Sequence, residues 1–383
     1  MSSSEGLRSK LRTTWLSVVG ARPQFVKLAP VCRAIERHNS RDEAPFIEHR
    51  IIHTGQHYDR EIAELLFEQL AIPAPDYNLG VGSSPHGVQI ARMLQRMEPL
   101  LRKEPIDWVI VYGDTNSTLA GALLAARLMI PLAHVEAGCR SGNISMPEEQ
   151  NRTVADHLSR LLLAPSQSAV NNLRREGIGT DDDRRQRRTV FAGDVMYDSL
   201  LQHLSLSEKR GDQNLQAFGL TPNGYYLLTL HRAENTNNRQ RLVSILRAAT
   251  SLDLPVLFPV HPRTRHLLAA GGIHLNGKIR QVPPQGFLEM IFLERNARKI
   301  LTDSGGVQKE AFYLGVPCIT LRDNTEWPET VACGANHIAG SEPQSIRKAV
   351  QDNHQADWSH SAPYGDGNAA DKIVNELLAS ANS

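Results

Sequence analysis

The chain has 383 residues, of which 42 are Lys or Arg and 41 are Asp or Glu, giving a formal charge of +1 at pH 7. That length suits two domains with ample core, and near-neutrality without a basic stripe argues against nucleic acid as a partner. The four cysteines, Cys32, Cys139, Cys318 and Cys333, are scattered with no CxxC pair, and no apolar run reaches the length of a membrane span. Neither a disulfide framework nor a zinc site is signalled, so the expected setting is a reducing cytoplasm with no membrane partner.

Residues 1–12 read as a flexible extension, because the apolar run Trp15 to Ala21 is too short for a signal-peptide core. From Thr13 short apolar strands alternate with glycine-containing turns and amphipathic helices. The predicted elements are a strand Trp15–Val19, a helix from about Gln24 to His38, and a strand Arg50–His53 with a helix ending near Leu70. After a Pro/Gly/Ser-rich loop over 72–86 come a helix His86–Arg102, a strand Trp108–Tyr112, an Ala/Leu helix through Met129 and a strand Pro131–Val135. A helix opening at Pro147 and strands Leu161–Ala164 and Thr189–Ala192 close the first half. A helix from about Met196 leads into the polar stretch Ser205 to Asp212, with a hinge expected over 195–205. The alternation then restarts, with strands Tyr225–Leu230, Val256–Val260, Ile279–Val282, Lys299–Thr302 and Pro317–Leu321 and a last helix over about Ala369–Leu378. Such alternation predicts parallel sheets with helices on both faces. The expected architecture is two Rossmann-like α/β domains facing across a cleft, spanning 13–195 and 196–365, with the terminal segment 366–381 completing the first.

Ligands of such sheets bind beyond the carboxyl ends of the strands, and the polar signatures gather there. Gly20-Ala21-Arg22-Pro23, Gly113-Asp114-Thr115-Asn116 and His134-Val135-Glu136-Ala137-Gly138 each follow or end a strand in the first half. Glu136, Glu148 and Glu149 lie in one loop flanked by Arg140 and Arg152. Crowded, buried carboxylates acquire the raised pKa values that proton transfer uses. Arg22 and Lys27 open a helix, where cations oppose the dipole and suit an anionic ligand. In the second half His231-Arg232 ends a strand. Asp303-Ser304-Gly305-Gly306 offers a strand end, two glycines and a helix start, a phosphate-binding arrangement, and Glu310 one turn on suits a ribose diol. Walker, dinucleotide and nucleophile-elbow patterns are absent, so NAD is not expected. His53 and His57 have ligand-like spacing, but no HExxH surrounds them and no metal is expected.

The ordered motifs GARPQFVKLAP, HTGQHYD, VYGDTNSTLAGALLAA, HVEAGCRS, MPEEQNR, HRAEN, PVHPRT, LTDSGGVQKEA and LRDNTEWPET, spread over residues 20–330, closely resemble the non-hydrolysing UDP-N-acetylglucosamine 2-epimerases. The resemblance implies the two-domain fold of nucleotide-sugar glycosyltransferases (GT-B type), a homodimer, and interconversion of UDP-GlcNAc and UDP-ManNAc without a cofactor. UDP would leave as the C2 proton is removed, giving 2-acetamidoglucal, and both would return with C2 inverted. On matching motif positions Asp114, Glu136, Glu148 and His231 are catalytic. Arg22, Lys27, Arg152, Ser304, Gly305, Gly306 and Glu310 hold the substrate and its UDP, and Gln56, His57 and His261 match part of an allosteric site.

The loop between Arg140 and Pro147 has the short form, which also resembles the branch acting on UDP-2,3-diacetamido-2,3-dideoxyglucuronate. That substrate is therefore the alternative, with Arg140 or Arg152 as the cation for its C6 carboxylate. A glycosyltransferase or a nucleotide-sugar sensor on the same fold is the reading from another class.

Overall fold

The computed structural model describes residues 12–41, 44–56, 66–260, 262–270, 275, 277–352, 358 and 361–381. Two compact units divide the chain. One runs through Ser199 and takes in the chain from Pro363 onward; the other is Leu200–Ala362.

The first unit is built on a seven-stranded sheet: β1 (Arg12–Val19), β2 (Phe46–His53), β3 (Tyr77–Asn78), β4 (Trp108–Tyr112), β5 (Leu132–Val135), β6 (Leu161–Ala164) and β7 (Arg188–Phe191). Its order is β3-β2-β1-β4-β5-β6-β7 and every pairing is parallel. Central strands covered on both faces read as continuous apolar runs, and Trp108–Tyr112 and Leu161–Ala164 are buried throughout. The helices are α1 (Arg22–Asn39), α2 (His86–Lys103), α3 (Asn116–Arg127), α4 (Pro147–Leu158) and α5 (Gln167–Arg175). Pro147 takes the first position of α4, where a missing N–H costs nothing. Arg12, assigned by sequence to the extension, opens β1 beside Phe46 of β2.

The second unit repeats the plan with β8 (Tyr226–Thr229), β9 (Val256–Pro259), β10 (Ile279–Val282), β11 (Lys299–Thr302), β12 (Cys318–Thr320) and β13 (Asn336–Ile338). Its order is β10-β9-β8-β11-β12-β13, again parallel. Both sheets are Rossmann-like, and in each the order reverses once, at β1/β4 and at β8/β11. The crevice at such a reversal is the expected ligand position.

Helix α6 (Val195–Ala217) runs unbroken through the polar stretch Ser205 to Asp212, which sequence reading places beyond the helix that starts near Met196. Leu200, His203 and Ser207 are buried at helical spacing within it, and the His203 ring meets Phe287 edge-on at 5.7 Å. A buried stripe at that spacing is enough to hold the segment as a helix. The remaining helices are α7 (Ala233–Thr236), α8 (Arg239–Thr250), α9 (Pro262–Ala270), α10 (Phe287–Arg295), α11 (Gly305–Tyr313), α12 (Pro328–Ala332), α13 (Pro343–Gln351) and α14 (Ala369–Ala381). Among the described residues no helix is long and apolar enough to cross a membrane.

Candidate active site

Three adjacent strand ends, those of β1, β4 and β5, build the first cluster. Gln24, buried in the first turn of α1, joins two of them. Its Oε1 accepts from Gly20 N (2.8 Å) and Ala21 N (3.2 Å), and its Nε2 donates to Tyr112 O (3.0 Å) and Thr118 Oγ1 (3.1 Å). One buried amide thereby fixes the reversal point of the sheet.

Lys27, one turn further along α1, places Nζ 2.7 Å from Glu136 Oε1, with both side chains nearly excluded from solvent. Glu136 follows β5 with φ +74°, a conformation that costs a non-glycine residue about 1–3 kcal/mol and tends to mark functional strain. Gly113 makes the pairing fit: a Cβ there would lie 2.9 Å from Lys27 Nζ and 3.3 Å from Glu136 Oε1, and its own φ is +61°. Beside this pair Asp114 is ion-paired through Oδ2 with Arg152 Nη2, and Arg152 Nη1 lies 2.9 Å from Glu149 Oε2. Glu149 also accepts from Ser141 N, Ser141 Oγ and Gly142 N at 2.9–3.1 Å. Glu148, its neighbour in the first turn of α4, is only half-buried. Arg22 is exposed at the start of α1. Lys27, Asp114, Glu136 and Arg152 therefore lie together, bound in two ion pairs at adjoining strand ends.

Gln56 belongs to the same edge. Its Oε1 accepts from Ser117 N (3.0 Å) and Oγ (2.8 Å) at the start of α3, and its carbonyl accepts from Gln89 Nε2 at 3.0 Å. His57 and His261 lie outside the described residues. His53 is a core residue, its ring 5.2 Å from Phe25 and 6.0 Å from Phe67, and burial holds its pKa below the ordinary 6.5. Among the described residues no group of His, Cys, Asp and Glu is arranged to hold a metal.

Arg140 is tied to two acids of the protein itself. Its Nη1 binds Asp156 at 2.7 Å, and its Nε and Nη2 fork onto Glu176 at 2.8 Å each. With Arg152 on Asp114 and Glu149, both guanidinium groups that sequence reading offered to a sugar carboxylate are committed to the protein's own acids.

The second cluster forms at the β8/β11 reversal. Asp303, fully buried, accepts from His231 N (3.1 and 3.2 Å), Arg232 N (3.1 Å) and Asn235 Nδ2 (3.2 Å). The His231 side chain is 44% exposed, with Nδ1 3.4 Å from Asp303 Oδ1. Ser304 caps α11 through Oγ, which accepts from Val307 N at 3.4 Å, and Glu310 stands half-buried in that helix. A Cβ on Gly305 would find Trp327 Nε1 at 3.4 Å, Glu326 Oε2 at 3.6 Å and Arg232 Nη2 at 4.0 Å. Glu326 is held by Arg322, a buried guanidinium that forks onto it with two 2.9 Å bonds. Lys309 lies 3.9 Å from the centroid of the Trp327 ring, close enough for a cation–π contact. A helix start opening on two glycines, with an Arg nearby, is chemistry for a diphosphate.

Sequence reading did not single out Gln24, Arg322 or Trp327, and it named Asp303 and Arg232 only within their motifs. All sit inside quoted motifs, and Asp303 and Arg232 each adjoin a named site residue. What marks them is burial and hydrogen bonding, which no spacing pattern carries.

Two Rossmann-like α/β units, with carboxylate–cation pairs at one reversal point and a glycine-bearing helix start at the other, define a protein of the nucleotide-sugar class with the GT-B type of fold. The family model for UDP-N-acetylglucosamine 2-epimerase matches residues 39–378, and the chain belongs to that family. A UDP-N-acetylglucosamine 2-epimerase homolog of Methanococcus maripaludis is 47% identical over 367 residues, covering 94% of this chain and 98% of that protein. A UDP-2,3-diacetamido-2,3-dideoxy-D-glucuronate 2-epimerase of Pseudomonas aeruginosa is 43% identical over 374 residues, covering 94% and 98%. Among solved structures, the Methanocaldococcus jannaschii UDP-GlcNAc 2-epimerase in complex with UDP-GlcNAc and UDP superposes with a TM-score of 0.86 at 43% identity, covering 96% of this chain and all of that one.

Proposed function

We propose that this enzyme interconverts UDP-GlcNAc and UDP-ManNAc by eliminating UDP to 2-acetamidoglucal and re-adding it with C2 inverted. The Lys27–Glu136 pair beside Asp114 carries the reading. A C2–H is weakly acidic, so a placed carboxylate must take the proton while the diphosphate departs. Each such proton-transfer group is worth roughly 10²–10⁴-fold. Inversion needs proton handling on both faces of C2, which Asp114, Glu136 and Glu148 provide. His231 steadies the departing diphosphate, Arg22 and Arg152 orient the substrate, and Ser304, Gly305 and Gly306 receive UDP with Glu310 on its ribose. None of these steps calls for NAD or a metal. A cytoplasmic homodimer completes the reading.

The diacetamido-uronate reading is favoured by the Pseudomonas relative, but Arg140, one of the two cations it would draw on, is already forked onto Glu176 and bound to Asp156, which weighs against it. The C6 carboxylate of that sugar would meet a cation that already answers the protein's own acids. Incubation with UDP-GlcNAc in D2O, followed by proton NMR, tests the choice. The expected result is UDP-ManNAc with deuterium at C2 in both epimers. Turnover of the uronate alone would transfer the assignment to it, and UDP release that requires an acceptor would make the protein a transferase.

A further inference from the structure

His134 lies in β5, two residues before Glu136, and its ring is wholly buried. Nε2 is 2.7 Å from the Gly113 carbonyl oxygen, which can only accept, so that nitrogen carries a proton. Nδ1 meets Asp156 Oδ1 at 2.6 Å. Asp156, equally buried near the end of α4, accepts through Oδ2 from Gly138 N (3.0 Å) and Arg140 Nη1 (2.7 Å). Burial pushes the Asp156 carboxyl up, but His134 and Arg140 outweigh it and hold the group below the usual range.

A single carboxylate thus ties three segments together. The end of β4 reaches it through His134, the turn after Glu136 through Gly138 and Arg140, and α4 carries it along with Glu148, Glu149 and Arg152. Neither His134 nor Asp156 has surface with which to touch a sugar. What they hold does bear on chemistry: Gly113 lies against the Lys27–Glu136 pair and precedes Asp114. Glu136 needs its surroundings to enforce a left-handed backbone.

We propose that His134 and Asp156 are positioning residues for the epimerisation, their buried bridge to the Gly113 carbonyl setting the strand ends from which Asp114 and Glu136 act and pressing Glu136 onto Lys27. This rests on the epimerase reading, and the test separates the two. In full-length Asp156→Asn and His134→Gln, kcat should fall at least about tenfold, since a small misplacement of reacting groups is costly. KM for UDP-GlcNAc and the Kd for UDP should stay within about threefold. The acid limb of the kcat–pH profile should move by about half a unit or more, because Glu136 then meets Lys27 differently. A merely structural role would lower the active fraction and leave that limb in place. Independently of activity, acylation of Lys27 in the intact protein, scored by mass spectrometry against the other lysines, should accelerate at least about fivefold as the buried pair loosens.

An unmoved pH profile with unchanged Lys27 labelling overturns the proposal, whatever happens to kcat. If the wild-type enzyme leaves UDP-GlcNAc untouched, the functional reading fails, and Lys27 labelling alone still decides this one. Should both variants fail to fold, Arg140→Gln, at the half-buried edge of the bridge, should raise Lys27 labelling in the same direction, and unchanged labelling there overturns the idea.

Discussion

Glu149 turns inward from the first turn of α4 and accepts from two backbone amides, a hydroxyl and Arg152, while Glu148 beside it keeps part of its surface. The first is a fastener for the short loop after Arg140; the second is the one proposed above for proton transfer. Glu149→Gln puts an amide NH2 where donors converge, and leaving buried donors poorly satisfied costs about 1–3 kcal/mol, a fall of roughly 2–8 °C in Tm. Glu148→Gln should melt within about a degree of wild type yet turn over at least about 10²-fold more slowly. Differential scanning calorimetry and the epimerase assay check both; the reverse pattern would exchange the two roles. Sequence alone separates these neighbours only through resemblance to a family motif, because both satisfy the helix-dipole preference equally. The same holds for Arg140 and Arg152. Their nearness to the acids is legible, but not that Asp156 and Glu176 consume one and Asp114 and Glu149 the other.

Helix α14 shows how an element from the far end of the sequence is fixed. Asp198, near the start of α6, accepts from Ala369 N (3.1 Å) and Ala370 N (2.8 Å), meeting the orphan donors of α14. Arg37 adds an ion pair to Asp371 at 2.6 Å, and Arg188 one to Glu376 at 2.5 Å. Burial, with Asp194 and Asp371 nearby, raises the Asp198 carboxyl from its ordinary 3.8 to about 6, against the pull of the two amides. A folded pKa above the unfolded one means the native state binds the proton more tightly between about pH 4 and 6. Its contribution to stability therefore falls as pH rises through that window. Asp198→Asn abolishes the titration, so the Tm of wild type minus that of the variant should grow on going from pH 7 to pH 5. A difference independent of pH would show that Asp198 is not the group titrating.

Element boundaries of the long alternating segments are legible because burial on both faces writes a continuous apolar run, as at Trp108–Tyr112. The two-residue β3 and three-residue β13 are too short to carry any period. Helix α5 has only a Ser166 cap and nine residues to announce it.

At the scale of the whole molecule, the same topological position recurs in both sheets. Each sheet reverses once, and at each reversal a buried polar side chain, Gln24 or Asp303, staples the two strand ends that a ligand would meet. The restart of alternation after residue 220 and the placement of polar motifs after strands make this duplication readable from sequence. The staples are not readable, since a buried amide or acid looks like any other in a motif. If the first unit supplies proton transfer and the second grips the nucleotide, the two tasks should separate under mutation. Glu136→Gln and Asp114→Asn should bind UDP within about threefold of wild type in calorimetric titrations, while turnover drops at least about 10²-fold. On the same premise Glu310→Gln would weaken the charge-assisted contact proposed to the ribose hydroxyls and should raise the Kd for UDP about tenfold, equivalent to about 1.4 kcal/mol. Restoring saturation with excess substrate should then recover most of kcat, because the interaction lost is made equally in ground and transition states. Loss of UDP affinity in Glu136→Gln, or unaltered affinity in Glu310→Gln, would contradict this division of labour.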